Sequence, residues 1–135
     1  MSCEWQMIVK ARQKVMESST WLTPSELASL AGASTFAMKI QLSEWKSANQ
    51  IFSVFNDHIE LFPAYIFHQN KLQPLAQLFP ILTLFLNKKD DWGVAYWFAG
   101  ANGFLGGERP QNIIRVDPYR VWLAAKDELL GVTHG

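Results

Sequence analysis

Apolar residues return at helical spacing from the start of the chain. Trp5, Ile8, Val9, Val15 and Met16 share one face, with Arg12 among them. Intervals of three and four place side chains on one side of a 3.6-residue helix, so residues 3–18 are predicted to form an amphipathic helix ending at Ser18-Ser19. Trp21-Leu22-Thr23-Pro24-Ser25-Glu26 then reads as a helix start. Thr23 is suited to accept from the Glu26 amide while the Glu26 side chain reaches back, and Pro24 occupies the first helical position. The helix from Pro24 to Ala31 stops at Gly32, which tolerates a left-handed cap. Ser34 caps a third helix over residues 35–46, with Phe36, Ile40 and Met38 expected inward.

After Lys46 the period changes. Residues 50–55 and 59–62 are β-rich runs around a tip at Asn56-Asp57-His58. Pro63 ends or kinks the second strand, and Ala64 to Phe67 is expected to continue extended, closing a first module near Asn70. Helical spacing then resumes. Pro74 to Leu86 carries Leu75, Leu78, Phe79, Leu82 and Phe85 on an apolar face, with Pro80 expected to kink or interrupt it. Asp90 and Asp91 favour the positive end of a helix running through Trp92, Val94, Ala95, Trp97 and Phe98. A glycine-rich loop, 100–107, precedes Pro110, which opens a short helix to Arg115. Pro118 opens the last helix, carrying Val121, Trp122, Ala125 and Leu129 before a flexible tail from Gly131 to Gly135.

The fold class is therefore mainly α with a small β hairpin, in two modules. Residues 1–70 form a helix-turn-helix-like module, and residues 71–135 a small helical domain. Helix, glycine turn, helix is the helix-turn-helix geometry. Leu22, Leu27, Ala28 and Leu30 stand at its core positions, Gly32 at its turn, and the hairpin behind it would be a wing. On the helix that would enter a major groove, Thr35, Lys39, Gln41 and Lys46 are placed to touch a backbone or a base edge.

Charge tempers that expectation. Twelve basic and twelve acidic residues cancel. The balance is local too, with five basic and six acidic side chains in 1–70, seven and six in 71–135. Phosphate neutralisation supplies most non-specific DNA affinity, so strong DNA binding is disfavoured and any contact is expected to be weak. Hydrophobic residues make up 49% of the 135 positions, and six Trp and nine Phe either fill a core or leave a patch for a partner. That load and the apolar face of 75–86 lead to an expected homodimer. No secretion signal is visible, and the apolar run from Leu78 to Leu86 is too short to span a bilayer, so a soluble, cytoplasmic protein is expected.

Candidate chemistry is sparse. His58 reads as a turn residue, His68 as a strand-end residue and His134 as part of the tail; no two share a helical face with a glutamate. Cys3 is alone, which leaves no internal disulfide and no cysteine-rich zinc cluster. The glycines at 103, 106 and 107 lack the Lys-Ser/Thr of a phosphate loop and a preceding strand. No catalytic constellation, metal set or cofactor is expected.

Trp92-Gly-Val-Ala-Tyr-Trp-Phe, then Asn102-Gly-Phe-Leu-Gly-Gly-Glu-Arg-Pro110, then Ile113-Ile114 and a closing helix, resembles the bacterial antitoxin Xre/MbcA/ParS toxin-binding domain. That family combines a Trp-containing helix, an Asn turn, Leu-Gly-Gly, a nearby Pro, two aliphatics and a final helix. Its members with an N-terminal helix-turn-helix and a short β element are similar to the stretch from Trp45 to Phe67. The resemblance implies an antitoxin of a toxin–antitoxin system. Its C-terminal domain would occlude a partner toxin, typically a RES-domain NAD-degrading enzyme, and its N-terminal module would bind its own operator and regulate transcription. The residues also suit the loop physically. Asn102, Gly103, Gly106 and Gly107 tolerate positive φ, Leu105 is the aliphatic anchor, and Pro110 pre-sets the next helix. Arg109, Arg115 and Arg120, next to Trp122, are of the type that dominates protein interfaces and are the candidate partner contacts. A stand-alone dimeric transcriptional regulator and an adaptor without a toxin remain open alternatives.

Overall fold

The computed structural model describes residues 2–134, with side chains up to Gly131. Seven α-helices are present among them: Cys3–Glu17 (α1), Pro24–Ala31 (α2), Thr35–Ser47 (α3), Leu78–Phe85 (α4), Asp91–Ala99 (α5), Pro110–Ile113 (α6) and Pro118–His134 (α7). Strands Trp21–Leu22 (β1), Val54–Asn56 (β2) and Ile59–Pro63 (β3) form one antiparallel sheet in the order β1-β3-β2. The protein is mainly helical with a small sheet, as the periodicity indicates.

Helix starts follow local chemistry closely. Ser2 caps α1 through the Trp5 amide. Thr23 and Glu26 exchange both bonds of the capping box at 3.1 and 3.0 Å, and Gly32 closes α2 at φ 67°. Ser34 accepts from Ala37 N, and Asp90 accepts from Gly93 N at 2.7 Å. Each side chain satisfies an amide that the helix leaves without an acceptor.

The extended region departs from expectation. Residues 51–53 are buried but outside the ladder, and β2 spans only Val54–Asn56. The tip is the pair Asp57-His58, both at positive φ (54° and 66°), a two-residue loop whose twist suits the flanking strands. β1 escapes the sequence reading because two residues are too few to alternate; it pairs Trp21 with Pro63 and Leu22 with Phe62. Ala64–Ile66 is a 3-10 turn rather than extended chain, and the Ala64 amide donates to Thr20 O at 2.9 Å.

Three helix expectations change. α4 begins at Leu78, not Pro74, so Pro80 sits in its first turn, where its missing N–H has no intrahelical acceptor to lose. Leu75, Leu78, Leu82 and Phe85 are buried while Phe79 and Leu86 are exposed, so most of the face expected to drive pairing lies inside the protein. α7 continues through Gly131 to His134 instead of giving way to a tail. Gly135 and the side chain of His134 lie outside the described residues.

Buried residues from Val15 to Ala125 form one hydrophobic cluster that draws on both 1–70 and 71–135. At its centre Phe52 stacks on Phe98 at 5.8 Å, Tyr65 lies 5.2 Å from Phe98, and Trp97 meets Phe85 edge-on at 4.9 Å. Polar ties cross the same boundary. Gln111 Nε2 donates to Ser18 O at 2.9 Å and Trp92 Nε1 to Phe55 O at 3.2 Å.

Candidate functional site

Two surfaces carry the sequence-derived candidates. The first is the loop after α5. That helix is apolar almost all round, and Val94, Ala95, Trp97 and Phe98 are buried. Such a helix is a core element, so the chain must leave it through a tight, internally bonded turn. Asn102 organises that turn. Its Oδ1 accepts from Phe104 N at 2.9 Å, its carbonyl accepts from Leu105 N at 3.0 Å and Gly107 N at 2.8 Å, and its amide donates to Glu108 O at 3.0 Å. Gly103–Leu105 forms a 3-10 turn closed by Gly106 at φ 67° and Gly107 at φ 92°. Positive φ is thus confined here to Gly106 and Gly107; Asn102 (φ −119°) and Gly103 do not use it. Leu105 is buried as the anchor, and Pro110, also buried, opens α6.

Neighbouring residues of a 3-10 turn point about 120° apart, so an inward Leu105 turns Phe104 outward, where it is 45% exposed. α7 packs against this turn. Its first residues add exposed Tyr119, stacked on Trp122 at 5.8 Å, with Lys126 4.6 Å over the Trp122 ring. Phe104 and Tyr119 were not among the sequence candidates. The signal for Phe104 was its place beside the single anchor of a one-turn loop.

The three arginines do not act as a set. Arg115 donates from Nε to Phe67 O at 3.0 Å and from Nη2 to Ala64 O at 2.6 Å, tying the C-terminal segment to the Ala64–Ile66 turn. Arg109, at the cap position of α6, and Arg120, in the first turn of α7, are exposed. Neither side chain has a polar partner among the described residues. Both are open to solvent.

The second surface is α3. Met38 and Leu42 face the core and Trp45 packs against it. Phe36 and Ile40, expected inward, are 76% and 47% exposed. Leu30, expected in the core of the motif, is 71% exposed. The cause is geometric: on a helix packed along one side, residues 38, 42 and 45 point opposite to 36, 40 and 43. Thr35 and Lys39 are exposed and Gln41 is half-buried. Lys46 is held by the Glu60 carboxylate, which also accepts from Ser53 Oγ at 2.6 Å. Of the four candidate DNA contacts only Lys39 offers a cation without an ion pair among the described residues.

Titratable chemistry follows burial. The Tyr65 phenol is buried without a hydrogen-bond partner among the described residues, and desolvation pushes its pKa well above the usual value of 10.0. Partial burial raises Asp91 as well, opposed by Lys46 and reinforced by Asp90 and Glu60. Cys3 is exposed, and among the described residues no cluster of His, Cys, Asp or Glu is placed to hold a metal. No described helix is long and apolar enough to cross a membrane. Compared with protein-family models, with curated proteins and with solved structures, the chain matches none.

Proposed function

We propose that this protein is an antitoxin-type regulator, a non-catalytic binding protein whose C-terminal surface holds a partner toxin and occludes its active site. The loop from Asn102 to Pro110 carries this reading. It is fixed from within by Asn102 and from below by Leu105, so Phe104 and Arg109 are presented outward at low entropic cost. An exposed aromatic and an unpaired arginine on one short, fixed segment are the residue types that dominate protein interfaces. The sequence resemblance implies the partner class, typically a RES-domain NAD-degrading enzyme.

The test is neutralisation by the full chain. Co-expressed with the product of the adjacent reading frame, the wild type should restore growth and co-purify with it. Phe104→Asp with Arg109→Glu should abolish both while leaving the circular dichroism spectrum unchanged. Full neutralisation by the double variant would remove the assignment.

A second reading, operator binding, is supported by the order α1-β1-α2-α3-β2-β3 with sheet order β1-β3-β2, in which α2 and α3 would serve as a helix-turn-helix and the hairpin as its wing. Thr35, Lys39 and Gln41 would be its contacts. With one unpaired lysine on α3, few phosphates are neutralised, and each contributes about −0.9 to the logarithmic salt slope. Binding to the operator should therefore be weak with a shallow salt dependence, measured by titration at several salt concentrations. Tight, steeply salt-dependent binding to random duplex would contradict it.

A further inference from the structure

On the outward side of α3, residues 36, 40, 43 and 47 recur at intervals of four, three and four. That is the seam spacing of a two-stranded coil, in which flanking charges choose the partner and its direction. Phe36 and Ile40 occupy the N-terminal half of the seam, Ser43 and Ser47 the C-terminal half. Lys39 flanks it on one side and Glu44 on the other, five residues on. These side chains line one shallow depression of ≈ 730 Å³. It shares Lys39 and Ser43 with a second depression, which continues to the exposed Phe55 and Ile59 of the hairpin.

We infer that this face pairs with the same face of a second copy of this chain, α3 against α3 in parallel about a two-fold axis along the helix. Charge complementarity selects the occupant and the direction. In the parallel arrangement Lys39 of each copy falls beside Glu44 of the other, giving two equivalent attractive pairs. Phe36 meets Phe36 and Ile40 meets Ile40, so apolar surface is buried on apolar surface. The antiparallel alternative with residues 36–47 fully overlapped leaves Lys39 beside a Lys46 already held by Glu60 and Glu44 against Ala37, and sets both large apolar residues on serines. The small residues at the C-terminal end allow the helices to approach there. A single short helix buries less than a standard interface of roughly 1,200–2,000 Å², so the dimer is expected to be concentration-dependent even with the hairpin contributing. This pairing does not rest on the toxin reading, and it competes with the operator reading because both use Lys39.

The experiment is sedimentation equilibrium on the full chain carrying Cys3→Ser. The mass should rise from the 15.4 kDa monomer toward twice that value across tens of micromolar. Lys39→Glu and Glu44→Lys should each weaken association at least about tenfold, and the double exchange should restore it. In the same background Phe36→Cys should form a cross-linked dimer on mild oxidation, because the two positions face one another across the axis. All four positions are on the outside of the helix, and circular dichroism should confirm that the variants fold. A monomer throughout this range, or a double exchange that fails to restore pairing, overturns the proposal. So does cross-linking through Ile40→Cys but not Phe36→Cys, which marks an antiparallel pair.

Discussion

The 102–110 loop and the outer face of α3 treat apolar side chains in opposite ways. The loop is irregular, yet its one aliphatic is sealed in the core and each turn of its backbone is tied by a named bond. α3 is a regular helix with a sound cap, yet two of its largest apolar residues stand in solvent. Regularity and burial are therefore separate properties. A backbone conformation is set by groups within a few residues, whereas the direction of a side chain is set by which side of the element meets the core. The loop is a fixed platform, and the helix face is an apolar surface open to solvent.

The sharpest way to break this contrast is at Leu105. It is 1% exposed and pins the loop. Leu105→Ala removes buried apolar volume beneath a turn that α7 also packs against, and the expected loss is about 2–5 kcal/mol. Chemical denaturation should show a lower midpoint with an unchanged slope. A stability equal to wild type would mean the loop is held by its hydrogen bonds alone.

Gly107→Val probes the backbone of the same platform. An added Cβ meets nothing within 4 Å, so the cost at the β carbon comes from φ 92° rather than from crowding. A β-branched residue there should lose about 1–3 kcal/mol. An unchanged thermal midpoint would show that the turn relaxes without penalty.

These differences also explain what was legible in the sequence. Capping residues such as Ser34 and Asp90 announce their conformations because each bonds an amide three residues away, and Gly32 and Pro110 because each sets its own φ. Leu105 was legible for a similar reason: it is the single aliphatic between turn glycines. The directions of Phe36, Ile40, Leu30 and Phe79 were not, since each lies on a helix with apolar residues on more than one side and only packing chooses among them. β1 was hidden by its length, and the commitment of Arg115 to Phe67 and Ala64 by a separation of about fifty residues that no local pattern reports.

Tyr65 lies in the core that supports both regions, and its effect is smaller. Its hydroxyl is buried without a partner among the described residues, so Tyr65→Phe should be neutral or stabilising by up to about 1 kcal/mol. The pH dependence has a definite sign. The phenol is pushed up in the folded protein, so the folded state keeps its proton where the unfolded chain releases it. Its contribution to stability is whole below the unfolded value near 10.0 and falls as pH rises beyond it. Denaturation curves above that pH should decline less for Tyr65→Phe than for wild type. Parallel declines would place the phenol in contact with water.

The smallest expected effect belongs to α3, and its smallness is the point. Phe36 and Ile40 are exposed at 76% and 47%, and serine has nearly the helix propensity of either residue. At sub-micromolar concentration, where pairing contributes nothing, Phe36→Ser and Ile40→Ser should each shift unfolding by no more than about 0.5 kcal/mol. A core residue of the same size loses several times that on truncation. Measured by thermal melting at two concentrations, the variants should match the wild type when dilute and fall below it when concentrated, because only the wild type gains stability from a second copy by mass action. A large loss in dilute solution would place these side chains inside the monomer's core, and α3 would then offer no free face.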